Sequence, residues 1–192
     1  VDTVVNDYNG TADASDVYPV GTTIVEWTVT DIHGNVSVCS MTVVITDDEN
    51  PAITCPADVL QTADAGLCSA AVTIAAPVTS DNCTVASVIN DYNGTSDASD
   101  VYPVGTTLVE WTVTDLAGNS STCVMTIVVT DDENPIVTCP ADVLQTADAG
   151  LCSAVVAIAA PAVSDNCAVD TVVNDYNGTA DASDVYPVGT TI

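Results

Sequence analysis

Apolar and polar residues alternate along most of this chain, and the alternation has a period of two. In "TTLVEWTVTD", Val109, Trp111 and Val113 fall on one side and Glu110, Thr112 and Thr114 on the other, as in a half-buried strand. "LAGNSS" supplies a tight turn around Gly118, and "TCVMTIVVTD" returns with Cys123, Met125, Ile127 and Val129 on one face. "SAAVTIAA" and "VASVI" read as two more strands and "ITCPADVLQT" as the first. Threonine and valine dominate, and no segment sustains a helical period. Turns are expected at "DAG", "SDN", "DYNG", "YPVG" and "LAGN". Short strands with frequent turns predict an all-β fold, a small antiparallel sandwich of roughly six or seven strands.

The pattern repeats. "NDYNGT" begins at Asn6, Asn90 and Asn174, and "YPVGTT" begins at Tyr18, Tyr102 and Tyr186. Cys39, Cys55, Cys68 and Cys83 recur as Cys123, Cys139, Cys152 and Cys167, and Trp27 recurs as Trp111, always 84 residues on. Such a period marks tandem units. With the proline of "TDDENP" as the boundary, residues 51–134 form one complete repeat. Residues 1–50 are then the C-terminal part of one repeat and 135–192 the N-terminal part of the next, a window on a longer linear array.

Charge narrows the function. The 192 residues include 27 acidic side chains, no lysine or arginine and one histidine. A surface of this sign repels phosphate backbones and anionic lipid, so nucleic-acid partners and membrane-surface binding are excluded. No apolar run is long enough to span a bilayer, so no direct membrane insertion is expected. The 47% apolar content, placed in alternation, argues for a folded acidic protein rather than a disordered one.

Taken together, "ITCPADV", "TSDNC", "PVGTT", "TDLAGN" and the final cysteine strand resemble the hyalin repeat. The resemblance covers the whole 84-residue unit. It implies tandem immunoglobulin-like modules in extracellular or cell-surface proteins, with an adhesive or structural role and no catalytic residues. Four cysteines per repeat at fixed positions fit disulfides of an oxidising compartment. No CxxC pair is present for zinc. An immunoglobulin-like sandwich sets its first strand beside and parallel to its last, so Cys55 and Cys123 are expected to bond. Cys68 has two candidate partners, Cys83 of the same repeat or Cys167 across the junction. The local pair with Cys83 is the expected one, provided the intervening segment folds back.

Catalytic readings are weak. His33, the one histidine, sits in the turn "DIHGN", and the next repeat has Ala117 there. A solvated turn explains it. The recurring turn carboxylates have the same bland explanation, and Trp27 and Trp111 read as core anchors. Asn9, Asn93 and Asn177 stand in N-x-T sequons within "DYNGT", preceded two residues earlier by Asp, and Asn35 and Asn82 match the short sequon. The extended acceptor pattern, with "DTV" at Asp2–Val4, points to a bacterial glycoprotein. Asn-Gly is also a turn former in its own right.

The remaining motif is "TDDENP" itself, at Thr46–Pro51 and Thr130–Pro135. It resembles the cadherin junction, whose linker reads DxNDNxP, although the Asp-Asn after its second acidic position is absent here. A bare run of Asp47, Asp48 and Glu49 repels itself, and Ca²⁺ takes six to eight oxygen ligands of this chemistry. The candidate ligands are Asp47, Asp48, Glu49 and Asn50 of the linker, with Asp81, Asn82, Asp115 and Asn119 from two turns of the following repeat. Asp131, Asp132, Glu133 and Asp165 are their counterparts at the next junction. The function expected is a structural repeat of an extracellular filament, stalk or matrix protein, stabilised by disulfides and stiffened by calcium at its linkers. The alternative is an adhesin whose repeats bind glycan or protein. Near-identity of the repeats favours the first, since ligand-specific domains differ in their loops. The partners expected are neighbouring repeats of the same chain and other copies in a fibril.

Overall fold

The computed structural model describes residues 1–191, and they form an all-β chain. The strands are β1 (Thr3–Asn6), β2 (Gly21–Thr30), β3 (Val36–Ile45), β4 (Ala52–Thr54), β5 (Val59–Thr62), β6 (Ser69–Val72), β7 (Val78–Ser80) and β8 (Val85–Asn90). They continue as β9 (Asp100–Pro103), β10 (Gly105–Asp115), β11 (Ser120–Thr130), β12 (Ile136–Thr138), β13 (Ser153–Val156), β14 (Ala162–Ser164) and β15 (Asp184–Pro187). Among the described residues no helix is long and apolar enough to cross a membrane, which leaves β-barrels unaddressed.

Within residues 51–134, β5, β11, β10 and β8 form a four-stranded sheet in that order. β10 pairs antiparallel with β8, Trp111 opposite Asn90 and Val113 opposite Val88. β5 pairs parallel with β11, Val59 opposite Ile127, as the sandwich topology implies. Two-stranded pairings of β4 with β7 and β6 with β9 complete the repeat. The pattern recurs in β12 with β14 and in β13 with β15. Ahead of them, β1, β2 and β3 make a three-stranded sheet.

Contacts gather the chain into two compact units. The first holds Val1–Cys55, Ala76–Ser96 and Glu110–Cys123, and the second holds Pro56–Ala75, Asp97–Val109 and everything from Val124 onward. In the first, Val25, Trp111 and Val113 are fully buried. In the second the core is Ala70, Val72, Tyr102, Val109, Met125, Ile127 and Val129, with Ala154 and Val156 nearly buried. These are the inward positions of the alternation. Each large aliphatic residue so buried contributes about 1.5–3 kcal/mol against exposure. Cys123, on the same face as Met125, is half-buried.

Three local expectations are corrected. "ITCPADVLQT" is two strands, not one: β4 pairs with β7, β5 with β11. Pro56 lies between them, and without an N–H it cannot extend a ladder, so the chain changes partner there. "DVYP" is a strand rather than part of a turn, because β9 pairs with β6, Tyr102 opposite Ala70. The bend comes later, at Val104, and Gly105, which opens β10, has a φ of 124° that suits glycine. The repeat therefore holds eight strands rather than six or seven.

Candidate functional site at the repeat junction

The alternation along β10 carries one polar residue to the buried side. Val109, Trp111 and Val113 point inward, and two residues on, at the strand's end, so does Asp115, which is 3% exposed. Asp47 follows β3 in the linker and Asp81 follows β7. Carboxylate oxygens of Asp47, Asp81 and Asp115 lie within 4.8 Å of one another. Three formal negative charges share this space, and the chain holds no lysine or arginine to offset them.

Hydrogen bonds hold each carboxylate in place. The backbone N–H of Gly118 and of Asn119 donate to Asp115 Oδ1 at 2.6 and 2.8 Å, and Asn119 Nδ2 donates to its Oδ2 at 2.8 Å. Burial pushes the Asp115 pKa up, but these bonds together with the Ala117 N–H outweigh it and hold the carboxyl below the ordinary value. Asn119 Nδ2 also donates to the backbone carbonyl of Asp47 at 3.2 Å. Asn82 Nδ2 donates to Asp47 Oδ1 at 3.2 Å. Asp81 Oδ2 accepts from the N–H of Cys83 and Thr84 at 3.0 and 2.8 Å, while its Oδ1 is buried with no hydrogen-bond partner. The Cys83 thiol pKa is raised, chiefly by its hydrogen bond to Asp47, then by burial and the neighbouring carboxylates.

The expected ligand set is thus divided. Asp47, Asp81 and Asp115 converge, with Asn82 and Asn119 bonded among them, while Asp48, Glu49 and Asn50 are exposed. Pro51, the next residue, is fully buried and anchors the linker's end. The next junction repeats the hydrogen bonding. Asn166 Nδ2 donates to Asp131 Oδ1 at 3.1 Å and to the Leu67 carbonyl at 3.0 Å. Asp165 Oδ2 accepts from the Cys167 and Ala168 N–H. Glu133 takes a different task, accepting from the Gly66 N–H at 2.9 Å, and Asp132 is exposed.

Cys55 and Cys123 form a disulfide, with Cα atoms 5.7 Å apart. The local Cys68–Cys83 bond is absent. Cys68 bonds Cys167, 99 residues further along the chain, with Cα atoms 4.7 Å apart. The 68–83 segment carries β6 and β7, which pair with different strands, β9 and β4, and Cys68 and Cys83 belong to different compact units. Cys39, Cys83, Cys139 and Cys152 are free and exposed.

"DYNGT" is organised by a residue that sequence reading missed. Asn6 is buried, its Nδ2 donating to Asn9 Oδ1 at 2.8 Å and to the Thr11 carbonyl at 2.7 Å, its Oδ1 accepting from the N–H of Tyr8 and Asn9. Asn90 and Asn174 repeat it. Its signal was the invariant Asn three residues before each sequon asparagine. Asn9 and Asn93 are exposed and Asn177 is half-buried, and Asn35 and Asn82 are exposed. Asn9 Nδ2 donates to the Asp13 carbonyl at 3.0 Å and Asn177 Nδ2 to the Asp181 carbonyl at 3.1 Å. Tyr8 stacks on Tyr18 with ring centres 4.4 Å apart, and Tyr176 on Tyr186 at 4.5 Å. His33 is an exposed turn residue whose N–H donates to Asp31. Trp111 is fully buried and Trp27 half-buried.

The HYR domain family model matches residues 46–129, a span as long as the sequence period. The chain belongs to the hyalin-repeat family. Hyalin of Strongylocentrotus purpuratus is 33% identical over 186 residues, which is 94% of this chain and 15% of that protein. Hyalin of Lytechinus variegatus is 34% identical over 155 residues, 78% of this chain and 28% of that protein. The chain therefore spans a minor part of these relatives. Both are sea-urchin proteins, so the expected bacterial source is not borne out. Among solved structures, protocadherin gamma B2 domains 1–5 match at TM-score 0.41 and 14% identity, over 88% of this chain and 39% of that one. Protocadherin gammaB7 EC3-6 matches at 0.41 and 15%, over 90% and 51%. The two disulfides fit an extracellular protein.

Proposed function

We propose that the chain is a stretch of an extracellular filament, stalk or matrix protein, and that each repeat junction is a Ca²⁺ site that stiffens the joint. The observation that carries the reading is the convergence of Asp47, Asp81 and Asp115 within 4.8 Å, from a linker and two turns of the following repeat. A hard cation with oxygen ligands suits three carboxylates, and the Asn82 and Asn119 amides, bonded among them, add oxygens of the same class. The unpartnered, buried Oδ1 of Asp81 has the chemistry of a ligand atom. A cation there offsets repulsion that no basic residue offsets. On this reading the partners are the neighbouring repeats of the same chain, with other copies in a fibril.

A ligand that binds only the folded state raises its stability, by about 2.7 kcal/mol when present at a hundred times its dissociation constant. Melting the chain in millimolar Ca²⁺ and in excess chelator tests the proposal. Ca²⁺ is expected to raise the melting temperature, and Asp115→Asn to abolish most of the rise, whereas Asp48→Asn leaves it intact. Equal melting in Ca²⁺ and in chelator ends the calcium reading.

A further inference from the structure

The two disulfides interleave. Cys55 bonds Cys123 across a separation of 68 residues, and Cys68, inside that loop, bonds Cys167 across 99. We infer that this connectivity makes the chain a tether of limited length under tension, because a covalent bypass runs past most of each repeat. A pulling force applied at the two ends travels along the shortest covalent path. Here that path runs from the N-terminal side to Cys68, crosses to Cys167 and continues onward. The 99 residue steps between them carry no load, even after every strand has come apart. At roughly 3.4 Å per extended residue, about 340 Å of chain is withheld from extension.

The sequence period carries the device from one repeat to the next. Cys152 repeats Cys68, and Cys167 repeats Cys83, each 84 residues on. Where the pairing recurs, the load path enters a repeat at its Cys83 position and runs back to its Cys68 position. It then leaves through the bond to the following repeat. Only the 15 residue steps of the 68–83 segment bear force, out of 84 in the period. Their extended length is about 50 Å, against about 290 Å for the unbridged repeat. The same rule accounts for the four free cysteines. Cys39, Cys83, Cys139 and Cys152 are the ones whose period-equivalent partners fall outside residues 1–192.

The Cys55–Cys123 bond has a different place in this scheme. It closes a loop within one repeat, and the shorter route through Cys68–Cys167 makes it redundant for load. A disulfide inside the repeat stabilises the fold, whereas one between repeats limits extension. The load-limiting role rests on the structural reading above for its purpose, but not for its test.

The experiment is single-molecule force spectroscopy on this chain, held at its two ends, with and without a phosphine reductant. Oxidised molecules are expected to reach a fully unfolded contour about 340 Å shorter than reduced ones, a deficit of 99 residues. A deficit of only 68 residues, about 230 Å, would mean that Cys55–Cys123 is the sole bond under load and would overturn the inference. No deficit, or one of any other size, would overturn it too. A peptide map of the unreduced protein supplies an independent readout, in which a linked Cys68–Cys167 peptide is required. Contour length does not depend on cations, so failure of the calcium reading leaves these lengths unchanged.

Discussion

Asn119 Nδ2 donates to the backbone carbonyl of Asp47, a residue 72 positions earlier in the chain and in the preceding linker. The same nitrogen donates to Asp115 Oδ2. One amide thus ties the linker to the turn after β10. Asn119→Ala removes both bonds and leaves the largely buried Asp115 with fewer donors. A loss of about 1–3 kcal/mol is expected, read as a lower midpoint in urea. Asn82→Ala removes one exposed bond to Asp47 and is expected to cost less. Equal and negligible costs for the two variants would contradict this assignment.

The intra-repeat disulfide closes a loop of 68 residues. In the chain-entropy account such a bond stabilises by about 4 kcal/mol, through restriction of the unfolded chain. Replacing Cys55 and Cys123 together by alanine is expected to lower stability by an amount of that order, without leaving a new free thiol. Denaturant titration checks it, and an unchanged midpoint would show that the bond adds little to folding.

The "DYNGT" turn depends on the asparagine that precedes it. Asn90 is 1% exposed and bonds Asn93 and the Thr95 carbonyl. Asn90→Ala removes these part-buried bonds together and is expected to cost about 1–3 kcal/mol. Glycans on Asn9 and Asn93 are expected on these exposed turns, because the bond from Asn9 Nδ2 to Asp13 uses one of the two amide hydrogens. Intact mass before and after glycan removal decides, and an unmodified mass from the native source would refute occupancy.

Three equivalent carboxyls titrate below their ordinary value. At Asp13 and Asp181 the main cause is the hydroxyl of Ser15 and of Ser183, followed by the backbone N–H. At Asp97 the Ser99 N–H leads and the hydroxyl follows. A depressed folded pKa means stability that is present above the unfolded value near 3.8 and is lost as pH falls through the folded value. NMR titration is expected to find all three below 3.8, and Ser99→Ala to move Asp97 partway back. A Ser99→Ala spectrum with Asp97 unmoved would refute the cause.

Much of the architecture is written in residue order, because a period of two and a period of 84 are local and additive properties. Val109, Trp111 and Val113 had to share a face whatever they packed against, and the chain buries that face. The parallel placement of β5 beside β11 follows from family topology, which the motifs carry. The break at Pro56 was visible as a proline but misread, since its effect depends on which strands lie on either side. "DVYP" was misread for a similar reason: a turn-rich composition was overridden by a long-range partner, β6.

The sequence by itself determined the all-β fold, the repeat, the acidic surface without counter-charge and the family. It also named Asp47, Asp81 and Asp115 as candidates, because Ca²⁺ takes oxygen ligands and two turns of the following repeat were expected beside the linker. Only the tertiary structure decided that these three converge while Asp48, Glu49 and Asn50 stay exposed. Only it decided that Cys68 bonds Cys167 and not Cys83. The physical reason is the same in both cases. Ligation and disulfide formation depend on distances of a few ångströms between residues tens of positions apart. Spacing along an extended chain bounds such distances from above but does not fix them until the strands have chosen their partners.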